Sequence, residues 1–559
     1  MTCKYCGNEI RDDAKFCPHC GAVSGAAPEA AAPPAEPEAP AGGGKRKGLL
    51  IAGVAAAVVL VAVLAAVAGG LFSNPKRAVE AAAVKSAAAY AQASEGIGLP
   101  DLSRLSREQS YSQSLVLGLN SVNSMLTGYD MSALSGLGLR MDAGVDIEDR
   151  KLDFELAAFW NEEDLIRFLL TADDAELYFS SPQITGETCY GVNTETLGAD
   201  LTNMTGDRSL KDLSFNLFDL ADLALEKMDQ EKLEKDMKAA ARSLWDQAEV
   251  KKTGSNKTHI IHGTSIKTTA YQVTIPQEAL DQYVDDLEAA LSAWNYSELY
   301  QEMFRSMGMP QEAVQDFLDE LEGTDPYGKL ADGLRRLVDG IGDLTLDVRL
   351  SGGYVSGVLY EDEIDGHQVN AALLLGGGTE YVDDLALEFM VDDLKFRIDS
   401  TGDHSMRSNL FADTTTVQLN DKSSRLLKVT SDLTLDPARE EDNLRWKLGA
   451  DSTGLSILAL DAQGTLYVKE DLIDLTLEDA ALSAMGMEIC SLRFNCRASC
   501  CPDWLEQPME NARLVTQMDR MELMMTALEV RSRAEAWASE TQELFRSRLP
   551  AELYAALFR

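Results

Sequence analysis

An uncharged stretch of 25 residues, Gly48 to Phe72, constrains this chain more than any other feature of its sequence. A helix rises about 1.5 Å per residue, so roughly 20 apolar residues cross the hydrocarbon core of a bilayer. The stretch is therefore long enough to span a membrane once, with some tilt. It separates a short N-terminal part from a large region, residues 73–559, whose sequence shows no second apolar span.

Basic residues on both sides of the predicted transmembrane helix, residues 48–72, indicate its orientation. Three precede it (KRK, residues 45–47) and two follow it (KR, residues 76–77). Because the flank with more basic residues stays in the cytoplasm, the N-terminus is predicted to be cytoplasmic and the C-terminal region extracytoplasmic. The chain is thus predicted to be a single-pass protein of the cell membrane. A cleaved signal peptide is the alternative, since residues 66–68 (AVA) resemble a cleavage site. The 44 residues before the basic cluster are too many for a signal peptide.

Two C-x2-C-G knuckles occur in the first 22 residues, ten residues apart. Two intervening residues let both thiolates of a knuckle reach one ion, and the glycine lets the backbone turn beneath it. Four thiolates complete the tetrahedral shell of Zn²⁺ and leave no position for water, which predicts one structural Zn²⁺ per chain. The predicted ligands are Cys3, Cys6, Cys17 and Cys20. His19 could replace one thiolate, but it lies inside the second knuckle between two better placed sulfurs.

The segment CKYCGNEIRDDAKFCPHCGA, residues 3–22, resembles the short bacterial zinc-ribbon family, including Phe16 just before the third cysteine. In that family the ribbon is a recurrent N-terminal module, which implies zinc binding without implying a reaction. The reduced thiolates that a ribbon requires also favour a cytoplasmic N-terminus. The ribbon is thus assigned to residues 1–22. Residues 23–47, rich in Pro, Ala, Glu and Gly and ending in the basic flank, are predicted to be a disordered linker.

The region after the predicted span also carries a resemblance. Residues 164–197 and 267–287 look like the exterior domains of zinc-ribbon, single-span proteins of Gram-positive bacteria, which are mostly uncharacterised. Their layout is similar to that of lipoprotein carriers, in which a curved antiparallel sheet wraps around helices. The resemblance implies a concave face that could shelter an acyl chain. A half-barrel closed by its own helices is the alternative.

Residues 73–559 carry the whole formal net charge of -41, because residues 1–47 contain equal numbers of acidic and basic side chains. So acidic a region repels phosphate backbones and anionic membrane surfaces, and no nucleic-acid partner is expected. The region is predicted to be α+β. Apolar and polar residues alternate at 344–350 and 385–391, as in an antiparallel sheet with one wet face. Asp365-Gly366 predicts a tight hairpin between two such strands.

Four segments are expected within the exterior region. These are a helical stalk at 73–130, mixed strands and helices at 135–335, an antiparallel meander at 340–499 and a C-terminal helix at 509–548. Residues at spacings of four and three predict one apolar face on the last helix. They are Leu514, Met518, Met521, Met525 and Leu528. Packing of this face on the sheet is the expectation, and an adaptable binding surface is the alternative.

The sequence offers no recognisable catalytic site outside the ribbon. His259 and His262 are three residues apart in a predicted strand, so they are not expected to form a metal pair. Acidic pairs such as Asp383-Asp384 and Asp392-Asp393 are abundant, which leaves a carboxylate-dependent hydrolase as an alternative. The pairing of the remaining cysteines is left open. They are Cys189, Cys490, Cys496, Cys500 and Cys501.

These features predict a membrane-anchored envelope protein with a structural zinc ribbon in the cytoplasm. Its exterior domain is expected to be a non-enzymatic binding or scaffold domain, with a lipid or a protein as the candidate partner outside. One alternative is a transmembrane sensor or interaction protein that signals through the ribbon. The other is an envelope hydrolase that uses carboxylates.

Overall fold

The structure, a computed structural model, describes much of the region that follows the predicted span. The described residues are 75–98, 110–124, 129–227, 230–292, 296–309, 314–315, 318, 326–364, 366–469, 471–500 and 511–558. The ribbon, residues 1–22, the linker, residues 23–47, and the predicted span, residues 48–72, lie outside them. No helix among the described residues is long and apolar enough to cross a membrane.

Helices and strands alternate in blocks along the described chain. The helices are α1 (Pro75–Gly96), α2 (Leu197–Thr205), α3 (Leu217–Lys227), α4 (Gln230–Gln247), α5 (Gln277–Ser292), α6 (Tyr296–Ser306), α7 (Pro326–Ile341), α8 (Arg520–Arg548) and α9 (Ala551–Leu557). The strands before α5 are β1 (Ser110–Val122), β2 (Leu137–Asp146), β3 (Lys151–Trp160), β4 (Glu163–Ala172), β5 (Glu176–Ser180), β6 (Cys189–Asn193), β7 (Glu249–Ile261) and β8 (Thr264–Ile275). Those after α7 are β9 (Leu344–Ser351), β10 (Tyr354–Ile364), β11 (His367–Leu375), β12 (Asp384–Val391), β13 (Leu394–Asp403), β14 (Phe411–Asp421), β15 (Ser424–Leu435), β16 (Leu444–Ser452), β17 (Leu455–Lys469), β18 (Leu472–Ala484), β19 (Met487–Ser499) and β20 (Ala512–Leu514).

All the described strands belong to one 20-stranded sheet. Across the sheet, β7 to β19 follow one another in chain order. β19 then pairs with β1, and β1 to β6 continue in chain order to β20. The pairings are antiparallel apart from the short parallel one between β20 and β6. The predicted α+β class is confirmed.

A closed core lies over one end of the sheet. α5 contacts both α4 and α7, and α4 reaches β8 while α7 reaches β10. Leu346 of β9 is opposite Val273 of β8, and both are 0% exposed. The helices bury apolar residues as well, including Leu280 and Val338. Because directly opposite residues of antiparallel strands point to one side, this pairing places the apolar face of the sheet under the helices.

The sheet curls at this end, so that β7 comes close to β12. A Cβ on Gly377 would lie 2.2 Å from Cγ2 of Ile261, so only glycine allows this approach. At the same place His262 Nε2 lies 2.8 Å from Oδ1 of Asp399. The curl and the three helices enclose the end of the sheet formed by β7 to β12.

α1 crosses the domain lengthwise. At its start, Lys76 Nζ donates to the carbonyls of Asp246 and Ala248, at 3.1 and 2.9 Å. Midway, Ser86 Oγ accepts from the backbone N–H of Val355 in β10, at 3.0 Å. At its end, a Cβ on Gly96 would lie 2.8 Å from the sulfur of Met406. α1 therefore runs from the beginning of β7 to the connection between β13 and β14.

Two details of the predicted segments differ from the structure. The helical stalk predicted for 73–130 is wrong at Ser110–Val122, which is the strand β1 between β19 and β2. The C-terminal helix predicted for 509–548 begins only at Arg520, where Asp519 caps it with a capping box.

Candidate functional site

The predicted zinc ligands, Cys3, Cys6, Cys17 and Cys20, lie outside the described residues. Within the part of the chain that the structure describes, no group of three or more His, Cys, Asp or Glu side chains is placed to hold a metal ion. The ribbon cysteines thus stay the metal-site candidates. A candidate site in the sheet domain has to be of another kind.

The apolar face of the sheet is partly open to solvent over β1 to β5. Leu117, Leu139, Leu156 and Phe179 are 41%, 54%, 40% and 39% exposed. Leu117 is opposite Leu139, and Leu156 is opposite Phe168. The Phe168 and Phe179 rings stack with centroids 5.9 Å apart. These five residues are called the open apolar face below, and exposed apolar patches of this kind usually mark a binding surface.

The open apolar face continues into a buried cluster on its other side. Leu117 is opposite Phe494 of β19, which is opposite Leu477 of β18. Leu477 and Phe494 pack in a cluster with Leu435, Leu444 and Ala462. Ile97, just after α1, packs against the same cluster. An apolar ligand on the open face would therefore contact side chains that the domain already holds in place.

The opposite face of the same strands carries a buried ion-pair network. The Glu155 side chain, 3% exposed, accepts from Arg140 Nη2 and from Arg167 Nε, both at 2.8 Å. Burial lowers the pKa of Arg140, but hydrogen bonding to Glu155 and the nearby carboxylates outweigh burial and raise it. The two arginines bond both carboxylate oxygens of this buried glutamate, so the network has a structural role.

A cleft of ≈ 680 Å³ adjoins this network on the polar face. The guanidinium of Arg493 lies 5.3 Å from the ring centre of Phe159, and its Nη1 lies 3.5 Å from a carboxylate oxygen of Glu162. Glu478 also lines the cleft. Since carboxylates balance the lining arginines, the cleft offers no excess positive charge for an anion.

The acidic pairs singled out in the sequence have structural partners. Asp383, 1% exposed, accepts backbone N–H groups of Glu380 and His404, at 2.8 and 3.2 Å. Asp384 lies 3.5 Å from His262, and His367 Nδ1 lies 2.6 Å from Asp392. His259 and His262 do not share a site, because Ser356 faces the former and carboxylates face the latter.

His404 is held with a hydrogen-bond acceptor at each ring nitrogen. Nδ1 lies 2.7 Å from the Val382 carbonyl and Nε2 lies 2.9 Å from Oδ1 of Asp413. Both nitrogens must carry a proton to donate, which favours the imidazolium. Burial, the largest influence, lowers the pKa of His404, but the bonds to Asp413 and Val382 and the charges of Asp413 and Asp383 raise it overall.

We predict that this histidine makes the domain lose stability above neutral pH. A raised folded-state pKa contributes stability that is fully present below the unfolded value, 6.5, and is lost as the pH rises through the folded value. The loss is about 1.4 kcal/mol for each pKa unit of elevation. Thermal unfolding between pH 6 and 9 should show this loss in the natural protein and not in His404→Gln. The control His367→Gln should keep the pH-dependent loss of the natural protein. An equal loss in His404→Gln would show that His404 is not its source.

Three of the remaining cysteines are free thiols. They are Cys189, Cys490 and Cys496. Cys189 is fully buried, and burial raises the pKa of its thiol. Burial and the Glu488 charge likewise raise the pKa of Cys490. Thiols with raised pKa values are poor nucleophiles at neutral pH, so these two cysteines are not candidate catalytic groups.

The apolar face predicted for the C-terminal helix does not pack on the sheet. Met521, Met525 and Leu528 of α8 are 64%, 57% and 53% exposed, so the core interpretation of these side chains is wrong. Leu514 lies in β20, and Met518 precedes the helix. α8 is attached through its second half instead, where Trp537 Nε1 donates to the Leu165 carbonyl at 2.6 Å.

Comparison with known proteins supports the N-terminal assignment. Residues 2–23 match the model of a zinc-ribbon domain. The chain therefore carries a zinc-ribbon module at its N-terminus, a module that binds zinc to support its own fold. No curated protein and no solved structure matches the chain.

Proposed function

We propose that this chain is a membrane-anchored binding protein whose sheet domain takes an apolar ligand, such as an acyl chain, on its open apolar face. Residues 48–72 cross the membrane, the zinc ribbon lies in the cytoplasm and the sheet domain lies outside. The zinc ion is structural, and the domain acts by binding rather than by catalysis.

The observation that carries the proposal is the contrast between two parts of one sheet face. Over β8 and β9 the face is covered, and Leu346 is 0% exposed. Over β1 and β2 the same kind of apolar side chains remain open, and Leu139 is 54% exposed. Burying one such leucine contributes about 1.5–3 kcal/mol, so an apolar ligand laid across several of them gains substantial affinity.

Support also comes from what the polar groups do. The carboxylates of Asp383 and Asp384 are engaged by backbone N–H groups and by His262. The buried Glu155 is neutralised by two arginines. These groups have the partners expected of structural side chains, which favours a binding domain over a carboxylate-dependent hydrolase.

The test is photo-crosslinking in cells that express the full chain and receive a fatty acid bearing a diazirine. We expect crosslinked peptides from β1, β2 and β3, in addition to any from residues 48–72. The double variant Leu139→Asp and Leu156→Asp should lower the sheet adducts at least about tenfold, because it removes two apolar contacts. Ile260→Asp, at a side chain 66% exposed, is the matched control and should leave them unchanged. Adducts confined to residues 48–72 would contradict the proposal.

A further inference from the structure

Three neighbouring hairpins of the sheet turn at the same end of their strands. β14 and β15 close with Asp421 opposite Ser424, and β18 and β19 close with Ala484 opposite Met487. Between them, β16 and β17 close with Ser452 opposite Leu455. These connections are called the three hairpin tips. Strands lie about 4.8 Å apart, so the tips form a row roughly 25 Å long.

The three hairpin tips expose large apolar side chains. Leu455 and Met485 are 71% and 78% exposed. Leu426, Ile457 and Met487 are 39%, 42% and 47% exposed. Exposing apolar side chains to water at successive hairpin tips is unfavourable, and a row of them is typical of an interaction surface.

The backbone makes the residue choice at one tip still more unusual. Met485 has φ 50° and Gly486 has φ 76°, so both central residues of the turn are left-handed. Such turns favour Asn, Asp and Gly, whereas a long side chain with positive φ is uncommon. Asn161 and Asp392 follow this preference at other turns of the sheet, whereas Arg150, Lys422 and Thr453 also have positive φ. Neither backbone conformation nor solvation favours a methionine at position 485.

Charge confines the apolar row to these three hairpins. The turn next to the row on one side contains Asp392 and Asp393, and the β3–β4 turn, beyond β1 and β2 on the other side, is followed by Glu163. By contrast, residues 452–458 and 483–487 contain no acidic side chain in a chain of net charge -41. Arg425 and Lys428 lie beside the first tip, where Asp421 also lies, and Asp451 and Glu488 flank the other two tips. The tips themselves are therefore apolar and carry little net charge, which suits insertion into the surface of a bilayer.

The start of α1 lies at the same end of the strands. Lys76 bonds the carbonyls of residues 246 and 248, directly before β7 begins, and Glu249 of β7 is opposite Thr274 near the end of β8. Because successive antiparallel strands reverse direction, the beginning of β7 and the ends of β14, β16 and β18 share one end of the sheet. The first described helix therefore begins at the end of the strands that carries the three hairpin tips.

We propose that the three hairpin tips insert into the surface of a lipid bilayer. This inference uses the proposed membrane span only to place a bilayer near the domain. The exposed apolar side chains of the tips are the separate argument for contact with lipid. Docked in this way, the end of β1 and the beginning of β2 also point towards the bilayer, so the open apolar face continues from the lipid surface. An acyl ligand then enters the face from the membrane.

The test places a photoreactive amino acid at position 455 or 485 of the full chain, in vesicles of phosphatidylglycerol and phosphatidylethanolamine. The matched control is position 260, which is 66% exposed at the tip of β7–β8, at the opposite end of the strands. We expect at least tenfold more lipid adduct at 455 and 485 than at 260. Introducing Met485→Asp should reduce the adduct at 455, and Met521→Asp, at a methionine 64% exposed in α8, should not.

The outcomes separate this inference from the proposed function. Equal adduct at 455, 485 and 260, or crosslinks from the tips to a second copy of the chain, would overturn membrane insertion of the tips. Alkaline extraction of the same vesicles reports on residues 48–72 independently. A chain that is extracted but still forms lipid adducts at 455 and 485 would refute the span and support the tips.

Discussion

Replacement of Trp245 by alanine will lower the free energy of unfolding of the sheet domain by about 3–5 kcal/mol. Trp245 is 1% exposed at the end of α4, and its indole N–H donates to Oε1 of Glu80 at 2.6 Å. The ammonium of Lys76 lies 5.3 Å from the ring centre. Alanine removes the contacts that the indole ring makes with α1 and leaves the buried Glu80 carboxylate without this donor. Denaturant unfolding of the full chain, followed by circular dichroism, measures the change.

Two further variants separate packing from hydrogen bonding. Trp245→Phe keeps an aromatic ring and removes the donor, and it should cost about 1–3 kcal/mol. Met521→Ala, at an exposed side chain of α8, should stay within about 0.5 kcal/mol of the natural protein. If Trp245→Ala were as mild as Met521→Ala, the attachment of α1 through this tryptophan would be wrong.

Substitution of Cys17 by serine will remove the zinc ion from the N-terminal module. Cys17 is one of four thiolates in the segment that matches a zinc-ribbon domain. A module of this size has no core of its own, so the metal supplies its folding free energy, about 10–16 kcal/mol in comparable peptides. Loss of one thiolate should therefore abolish both zinc retention and the fold of the module. Metal analysis of the purified full chain should give one zinc ion for the natural protein and none for Cys17→Ser.

The control for the zinc experiment comes from the sheet domain. Cys490 is a free, half-buried thiol on β19, and Cys490→Ser should retain the metal. A strong chelator should strip zinc from the natural protein without changing the unfolding of the sheet domain. Full zinc content in Cys17→Ser would show that His19 or another group completes the shell.

Local alternation made much of the sheet predictable. The patterns at 344–350 and 385–391 became β9 and β12 because their leucines, valines and aromatic residues need one buried face. The predicted hairpin at Asp365-Gly366 is confirmed, since Ile364 is directly opposite His367. Both features depend on residues close together in the chain.

Long-range pairing and coverage were not predictable in this way. Residues 110–122 follow a helix, and the strand partner β19 that identifies them begins only at Met487. The stripe of Met521, Met525 and Leu528 has the period of a buried helix face whether or not anything covers it. Leu346 and Leu139 obey the same alternation, yet one is buried and the other open. Periodicity gives the direction of a side chain but not the presence of a neighbour.

The pairing of β1 with β19 has a consequence for biosynthesis. Val122 is opposite Cys490, so the middle of the sheet joins segments made far apart in time. At about 5–20 residues per second, a ribosome needs roughly 20–70 s between these two positions. During that interval β1 presents a free edge with exposed leucines, the kind of edge that aggregates or recruits a chaperone. We expect the nascent chain to depend on a chaperone that binds this edge. In a circularly permuted chain that begins at β7, β19 and β1 are synthesised closer together in time, so the period of dependence should be shorter.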